Sequence, residues 1–594
     1  MREIGRKQTP IGVILAAGMA KRLRPLTDER PKCLLTIGQR TLLQRTVDGI
    51  LDAGISELVV VTGYRGQMIR EFLTQHYPQL TIHFLDNADY AHTNNIFSLW
   101  LTRPYTDGRD FLLLDSDILF DPRIIPEVLK AEGSALALNR HELGEEEMKI
   151  VVDDNNNIVE INKTCAVEKA IGESVGIEKM TADYSRALFK ELEQMIDKEG
   201  LIDIFYERAF ERLIPQGHTF RVVDTTDFYS MELDTVEDFE NAKKLIRRRM
   251  NFLDRNEFNF EPSQKVIEAI KNFDPKDLCF YTRIYDQGKK SVISVRVSEI
   301  YGVPEEQVLL TYGGEDMLKN AIHYFLMKSD NKKILIPEFS WWYYNKVAQE
   351  CDGMFEMYPL HEQKDAFAYD IDEVIAYTNR IHPCMLLLAS PNNPTGNSLD
   401  SEEIVRIMEN IPSDTMVLVD EAYANFITSD VDYIAPLVNK YNNLIISRTL
   451  SKFYGLPGLR CGFGFIGKGH DQFLSYINKY LGYNRFSEAV ALAALESDDY
   501  YRHVADDMEW GRQLYKKELG NLPGFKVYKS MANFILIKYP VEIRDALMEA
   551  LRIQDYKIKF MSDKGLESCL RITLGRKEQT QVVCDTIKRV YNNK

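Results

Sequence analysis

Short apolar runs that stop at a small or acidic residue recur along this chain, and they limit it to folds built on buried parallel strands. Residues 12–16 run into Ala17-Gly18, residues 57–62 into Gly63-Tyr64, and residues 111–114 into Asp115. Between the first two, residues 42–53 carry helical spacing. Strands covered by helices on both faces read as continuous apolar runs, so the alternation implies an α/β fold. A second series follows at 333–336, 385–388, 416–419 and 444–446, and segments 534–537 and 569–574 suggest a smaller closing α+β subdomain. The two series are separated by a patterned helix at 238–250, ending in Arg247-Arg248-Arg249, and by a polar, Asn-rich stretch at 251–262. Three arginines at a helix end complement its dipole. A chain of 594 residues exceeds the ~250–300 that one core organises. The expected division is a first domain over 1–245, a linker over 246–262 and a second domain over 263–594.

Charge narrows the partners. With 73 basic and 89 acidic residues the net charge is −16, which provides no electrostatic footprint for nucleic acid or an anionic membrane. Eight cysteines without a C-x-x-C pair fit a reduced, cytoplasmic setting rather than a disulfide framework. No apolar run approaches the ~20 residues of a membrane span.

The first chemical signal is Leu15-Ala16-Ala17-Gly18-Met19-Ala20-Lys21-Arg22-Leu23-Arg24-Pro25-Leu26-Thr27, followed by Pro31-Lys32. A turn of small residues lets backbone N–H groups approach a ligand, and the cations behind it suit a triphosphate. The second is Leu114-Asp115-Ser116-Asp117, where carboxylates at i and i+2 of an extended chain share a face and can share a hard cation. Strand C-termini are where open α/β sheets hold ligands. A further acidic pair stands in Tyr229-Ser230-Met231-Glu232-Leu233-Asp234.

These motifs resemble the nucleotidyltransferases that join a nucleoside triphosphate to a phosphorylated small molecule, and most of all the phosphocholine cytidylyltransferase-like branch, over about residues 10–245. The likeness extends to Ala53-Gly54-Ile55 and Asn94-Asn95-Ile96-Phe97-Ser98-Leu99. It implies a Rossmann-like domain with a mixed, mostly parallel sheet, CTP as nucleotide and Mg²⁺ as cofactor. Leu15, Ala16, Ala17, Gly18, Arg22, Lys32, Asn94, Asn95 and Asp115 would face the nucleotide or acceptor. Asp117 and Asp234 would bind the metal directly, with Asp115 and Glu232 beside them. Lys163 would meet the acceptor's phosphoryl group, and Lys32 and Arg22 would carry the transfer.

In the second half, Ser390-Pro391-Asn392-Asn393-Pro394-Thr395-Gly396, Asp420-Glu421-Ala422-Tyr423, Ser447-Arg448-Thr449-Leu450-Ser451-Lys452 and Gly458-Leu459-Arg460 follow one another at strand ends. Together they resemble fold-type I pyridoxal-phosphate (PLP) aminotransferases, with a large α/β domain and a small α+β subdomain, and above all the histidinol-phosphate branch. The resemblance implies Lys452 as the lysine that carries the cofactor and moves the substrate proton, and Asp420 as partner of the pyridine nitrogen. Asn393 and Tyr423 would hold the ring's 3′-oxygen, and Phe339 would stack on the ring. Thr449, Ser451, Arg460, Gly314 and Glu315 would hold the phosphate, with Tyr285 reaching it from a partner subunit of a homodimer. Arg571 would grip the substrate's anionic end. A second family arginine is replaced in Lys557-Ile558-Lys559-Phe560; the two residue types are not interchangeable at a bidentate site, which argues against histidinol phosphate.

A fused pair makes sense if one enzyme consumes the other's product. The arrangement resembles bifunctional phosphonate cytidylyltransferase–2-aminoethylphosphonate transaminases. The implied route aminates phosphonoacetaldehyde from an amino-acid donor and activates the aminophosphonate with CTP. Kept beside it are acceptors such as phosphocholine, phosphoethanolamine or aminopropanol phosphate, with a threonine-phosphate decarboxylase-like second domain.

Overall fold

The computed structural model describes residues 9–141, 143–144, 147–282, 288–427, 431–478 and 482–593. It divides into two compact units, Met1–Met250 and Asn251–Lys594. Tyr285 lies outside the described residues.

The first unit is built on a nine-stranded mixed sheet. Ile11–Ala16 lies at its centre, parallel to Glu57–Thr62 on one side and to Phe111–Asp115 on the other. Gly172–Met180 joins antiparallel beyond Phe111–Asp115. Successive side chains leave a strand on opposite faces, and here each face has its own apolar layer. Val13, Val59, Phe111 and Leu113 pack in one; Ile14, Leu58, Leu112 and Leu114 pack in the other. A third cluster joins Leu23, Leu35 and Ile37 to Leu119, Leu233 and Phe239. It fastens the loop after the first strand to a small two-stranded antiparallel sheet, Ile118–Phe120 with Ser230–Glu232. That packing brings the basic loop and the acidic residues to one edge of the sheet.

The second unit has a seven-stranded sheet in the order Val308–Thr311, Gly462–Ile466, Leu444–Thr449, Met416–Asp420, Met385–Ala389, Lys333–Pro337, Met354–Tyr358. Only Gly462–Ile466 runs against its neighbours. Asp420 and Thr449 end adjacent strands, so their loops share one edge. The small subdomain carries a five-stranded sheet that includes Phe534–Lys538, Tyr556–Phe560 and Cys569–Thr573. Among the described residues, no helix is long and apolar enough to cross a membrane.

The stretch 246–262, expected as a linker, is structured. Residues up to Arg249 finish the helix Val236–Arg249, which opens with a Thr235–Asp238 capping box. Asn251–Leu253 then pairs in parallel with Tyr556–Phe560 as the edge of the small sheet. Asn256 is buried beyond it. Its polarity reflects site contacts rather than slack. A chain started at residue 263 should therefore unfold at lower denaturant than one started at 251, by at least ~2 kcal/mol, because it lacks an edge strand and buried hydrogen-bond partners. Equilibrium urea unfolding of the two fragments measures the difference.

Candidate active sites

In the first unit, the central strand keeps Leu15, Ala16 and Ala17 buried, and Gly18 is the first exposed residue. The Ala17 carbonyl accepts the Tyr64 N–H at 3.0 Å. A Cβ on Gly63 would stand 2.7 Å from that carbonyl oxygen, so this approach requires glycine. Over Gly18 the space is open. Thr27 Oγ1 donates to the Ala20 carbonyl at 3.0 Å, and the Tyr64 hydroxyl donates to that of Thr27 at 2.9 Å. The loop that carries Arg22 is thereby fixed at both ends.

Lys32 is flanked by buried Cys33 and Leu34. Its Nζ lies 3.1 Å from Asp117 Oδ2 and 2.9 Å from Asp234 Oδ1. Arg22 donates to the other oxygen of Asp234. Burial pulls the Lys32 pKa down, but the two carboxylates outweigh it and hold the ammonium charged. The Leu233 N–H to Asp117 carbonyl bond, 3.0 Å, joins the two acidic segments.

Asp117, Glu232 and Asp234 each offer a carboxylate oxygen, and these oxygens lie within 4.8 Å of one another. Three hard oxygen donors against two cations fit a divalent ion such as Mg²⁺. Asp115 is not in this group. The chain turns at Ser116-Asp117 instead of staying extended, so the i, i+2 argument fails there. Asp115 instead accepts the Tyr206 hydroxyl at 3.2 Å, while Glu232, expected beside the ligands as Asp115 was, stands with Asp117 and Asp234.

Asn94 and Asn95 have structural partners. The Asn94 side chain accepts the Asn95 N–H at the start of helix Asn95–Leu101, and Asn95 Oδ1 accepts the Tyr206 N–H at 2.9 Å. Lys163 Nζ sits 4.8 Å over the Phe205 ring, and its charge reaches both Glu207 and Glu232. Glu232, though its surface is exposed, has a carboxyl pushed up to about 7, first by desolvation and then by Asp117 and Asp234. Burial pushes Glu207 up to about 7 as well.

In the second unit, Lys452 Nζ donates to the Asn256 carbonyl at 3.0 Å and lies 5.5 Å from the Tyr423 ring centre. Asn256 Nδ2 donates to the Tyr423 hydroxyl at 3.0 Å. Asp420 accepts the Tyr344 hydroxyl at 2.6 Å and the Ala422 N–H at 3.0 Å. Burial raises its pKa and these donors oppose the rise. Arg571 donates to Asn393 Oδ1 and to the Asp254 carbonyl, while its buried Nε has no partner. Phe339 adopts φ 48° with its carbonyl held by Asn392 Nδ2 at 2.8 Å.

Helix Gly314–Lys328 begins beside Thr449, which is 3.8 Å from a Cβ placed on Gly314. The Thr449 hydroxyl donates to Ser451 Oγ at 2.9 Å. Arg460 donates to the Tyr312 carbonyl at 3.1 Å and lies 3.6 Å from Glu315. A Cβ on Gly313 would stand 2.8 Å from the Arg460 guanidinium, and one on Gly462 would stand 2.6 Å from the Gly313 backbone. A helix start, two hydroxyls and an arginine form an anion cradle. With Lys452, Asp420 and the orphaned Arg571 nitrogen, this donor set fits pyridoxal phosphate. One buried ion pair braces it from behind: Arg448 and Glu421, 2.6 Å apart, with Tyr433 and Asn425 on the guanidinium.

Sequence reasoning missed Asn256, Tyr344 and Asn392 here, and Tyr206, Glu178 and Glu207 in the first unit. Asn392 stands within the Ser390–Gly396 motif but was given no role there; the others belong to no local pattern.

Residues 250–587 match the aminotransferase class I and II family, to which the chain belongs. Residues 12–213 match the MobA-like NTP transferase domain. The protein is thus a nucleotidyltransferase fused to an aminotransferase, a bifunctional enzyme. Both units have their counterpart in the CMP-5'-(3-aminopropyl)phosphonate synthase of Streptomyces rubellomurinus, 23% identical over 97% of this chain and 94% of that one. The histidinol-phosphate aminotransferase of Ruminiclostridium cellulolyticum is 30% identical over 58% of this chain and 93% of its own. A solved histidinol-phosphate aminotransferase from Sinorhizobium meliloti, in complex with pyridoxal-5'-phosphate, superposes with TM-score 0.51 at 21% identity, over 59% of this chain and 94% of that one.

Two measurements check the sites. Folded Glu207 and Glu232 keep their protons up to about 7 where the unfolded chain, with 4.5, has lost them. These groups therefore withdraw stability as pH rises from about 4.5 to about 7. A cation needs ionised ligands, so Mg²⁺ should raise the first unit's melting temperature more at pH 8 than at pH 5, read by differential scanning calorimetry. Lys452→Ala should abolish the cofactor's visible lysine-bound absorbance while leaving the melting of the first unit unchanged.

Proposed function

We propose that the first unit transfers CMP from CTP to a small aminoalkylphosphonate, and that the second makes that amine from the matching aldehyde, phosphonoacetaldehyde, and an amino-acid donor. The reading rests on one observation above others: a relative named for a CMP-aminoalkylphosphonate product runs the length of both units. The site geometry supports it.

In the transfer, an acceptor phosphonate oxygen attacks the α-phosphorus in line, that P–O bond forms, the bond to the β-phosphate oxygen breaks, and pyrophosphate leaves. Both reactants are anions, so the barrier lies in repulsion and alignment. Lys32 and Arg22 supply positive charge where it develops, and the Ala17-Gly18 turn offers backbone close to the phosphates. Mg²⁺, held by Asp117, Glu232 and Asp234, would act as a Lewis acid on the phosphate oxygens.

In the amination, Lys452 moves the proton at the substrate carbon, held toward the site by the Asn256 carbonyl. Asp420 keeps a negative charge where a ring nitrogen would be protonated. Bound pyridoxal phosphate would supply the electron sink. Arg571 takes the anionic end of donor or acceptor, and Lys559 stands directly opposite it across the strand pair. Cross-strand partners share a face, so two cations line the side that a doubly ended amino-phosphonate needs. The reading includes a homodimer through the second unit, supported by the exposed apolar residues Leu278, Phe280, Tyr281 and Tyr312.

The relative's name favours a second reading, in which the acceptor is one carbon longer, 3-aminopropylphosphonate. Pyrophosphate release with CTP, Mg²⁺ and a panel of acceptors decides. A phosphonate should exceed phosphocholine and phosphoethanolamine in kcat/KM; the reverse order refutes the proposal. Lys32→Ala should lower that rate on the order of 10²–10³-fold and leave transamination untouched.

A further inference from the structure

Beside the carboxylates that would hold the metal lies a second acidic group that the transfer chemistry does not use. Asp115 and Glu178 converge on Tyr206, whose hydroxyl is 3.2 Å from Asp115 Oδ2 and 3.5 Å from Glu178 Oε1, and Glu207, the next residue along the chain, bears electrostatically on both carboxylates. Glu178 pairs with Leu113 across the sheet, and Asp115 lies two residues further along that strand, so both carboxylates leave on one face. Glu178 is 0% exposed and Glu207 8%, and among the described residues Oε2 of each has no hydrogen-bond partner.

The surrounding chain is shaped around them. Gly176 has φ 74°, and a Cβ there would stand 2.9 Å from Asp115 Oδ2. Asn95 holds the Tyr206 backbone, and with it the start of the helix that carries Glu207. Lys163 is exposed above Phe205. A buried oxygen left without a donor keeps its full desolvation penalty. Burial accordingly favours the neutral form of both glutamates. What the group lacks is a cationic donor.

We propose that Asp115, Glu178 and Glu207 seat the primary ammonium of the nucleotidyl acceptor, while Lys163, with the divalent ion that Asp117, Glu232 and Asp234 would hold, takes its phosphoryl end. An alkylammonium brings three N–H donors to three carboxylates. A trimethylammonium brings none and prefers aromatic faces. The site thus selects a zwitterion with a free amine, which deepens the proposed function and rests on it.

The test compares 2-aminoethylphosphonate with ethylphosphonate on the full chain. Glu207→Gln and Glu178→Gln should each lower kcat/KM for the amine by about 30–100-fold, change it little for ethylphosphonate, and leave aminotransferase activity intact. Equal losses on both acceptors, no loss on the amine, or a shifted Mg²⁺ dependence in the variants would each overturn the assignment, the last by showing a second metal site. Calorimetric titration of wild type and variants with the same two compounds needs no turnover. Selective binding of the amine by wild type without any transfer to it would sink the functional reading and leave this inference standing; absence of that selectivity sinks the inference alone.

Discussion

The first site depends on Lys32 sitting between Asp117 and Asp234. The lysine comes from the loop after the first strand, and the two aspartates come from segments far apart in sequence. Its ion pairs make the sites of positive and negative charge a single object. Two carboxylates this close are held by two cations, Lys32 between them and Arg22 on the far oxygen of Asp234. The apolar cluster of Leu23, Leu119, Leu233 and Phe239 supplies the rigidity; the charges alone would not fix the geometry.

The second site solves a different problem. A buried Asp420 stands under desolvation that favours the acid. The Tyr344 hydroxyl and the Ala422 amide offset part of that cost. Around it, Gly313, Gly462 and Arg460 approach more closely than side chains would allow, so the phosphate cradle is set by backbone. The family match and the full-length relative agree with two enzymes on one chain, each with its own edge of a sheet.

Much of this was legible in the sequence, and the reasons for the exceptions are physical. Strand-length runs at 12–16, 57–62, 111–114, 416–419 and 444–446 marked the strands that lead to the sites, because buried parallel strands leave continuous apolar text. Lys32, Asp234, Lys452 and Asp420 stood in dense motifs. The shared face expected for Asp115 and Asp117 is lost because the spacing rule assumes an extended chain, and Ser116-Asp117 turns. Asn256 was read as linker because polar residues near a boundary look solvated; its burial depends on strands hundreds of residues away. Tyr344 is hidden in an aromatic run, Trp341 to Tyr344, that reads as packing. Glu178 and Glu207 stand among other charged residues on separate elements, and nothing in the local sequence marks them out.

The buried Arg448–Glu421 pair has a further meaning. Such a pair adds little net stability, yet losing one partner strands a charge and costs about 3–5 kcal/mol. Arg448 directly precedes the residue that opens the phosphate cradle, and Glu421 directly follows Asp420. Drift at either position alone would thus be penalised, whereas a joint exchange for apolar residues could preserve folding. In descendants of this enzyme, the two positions should change together or stay as they are.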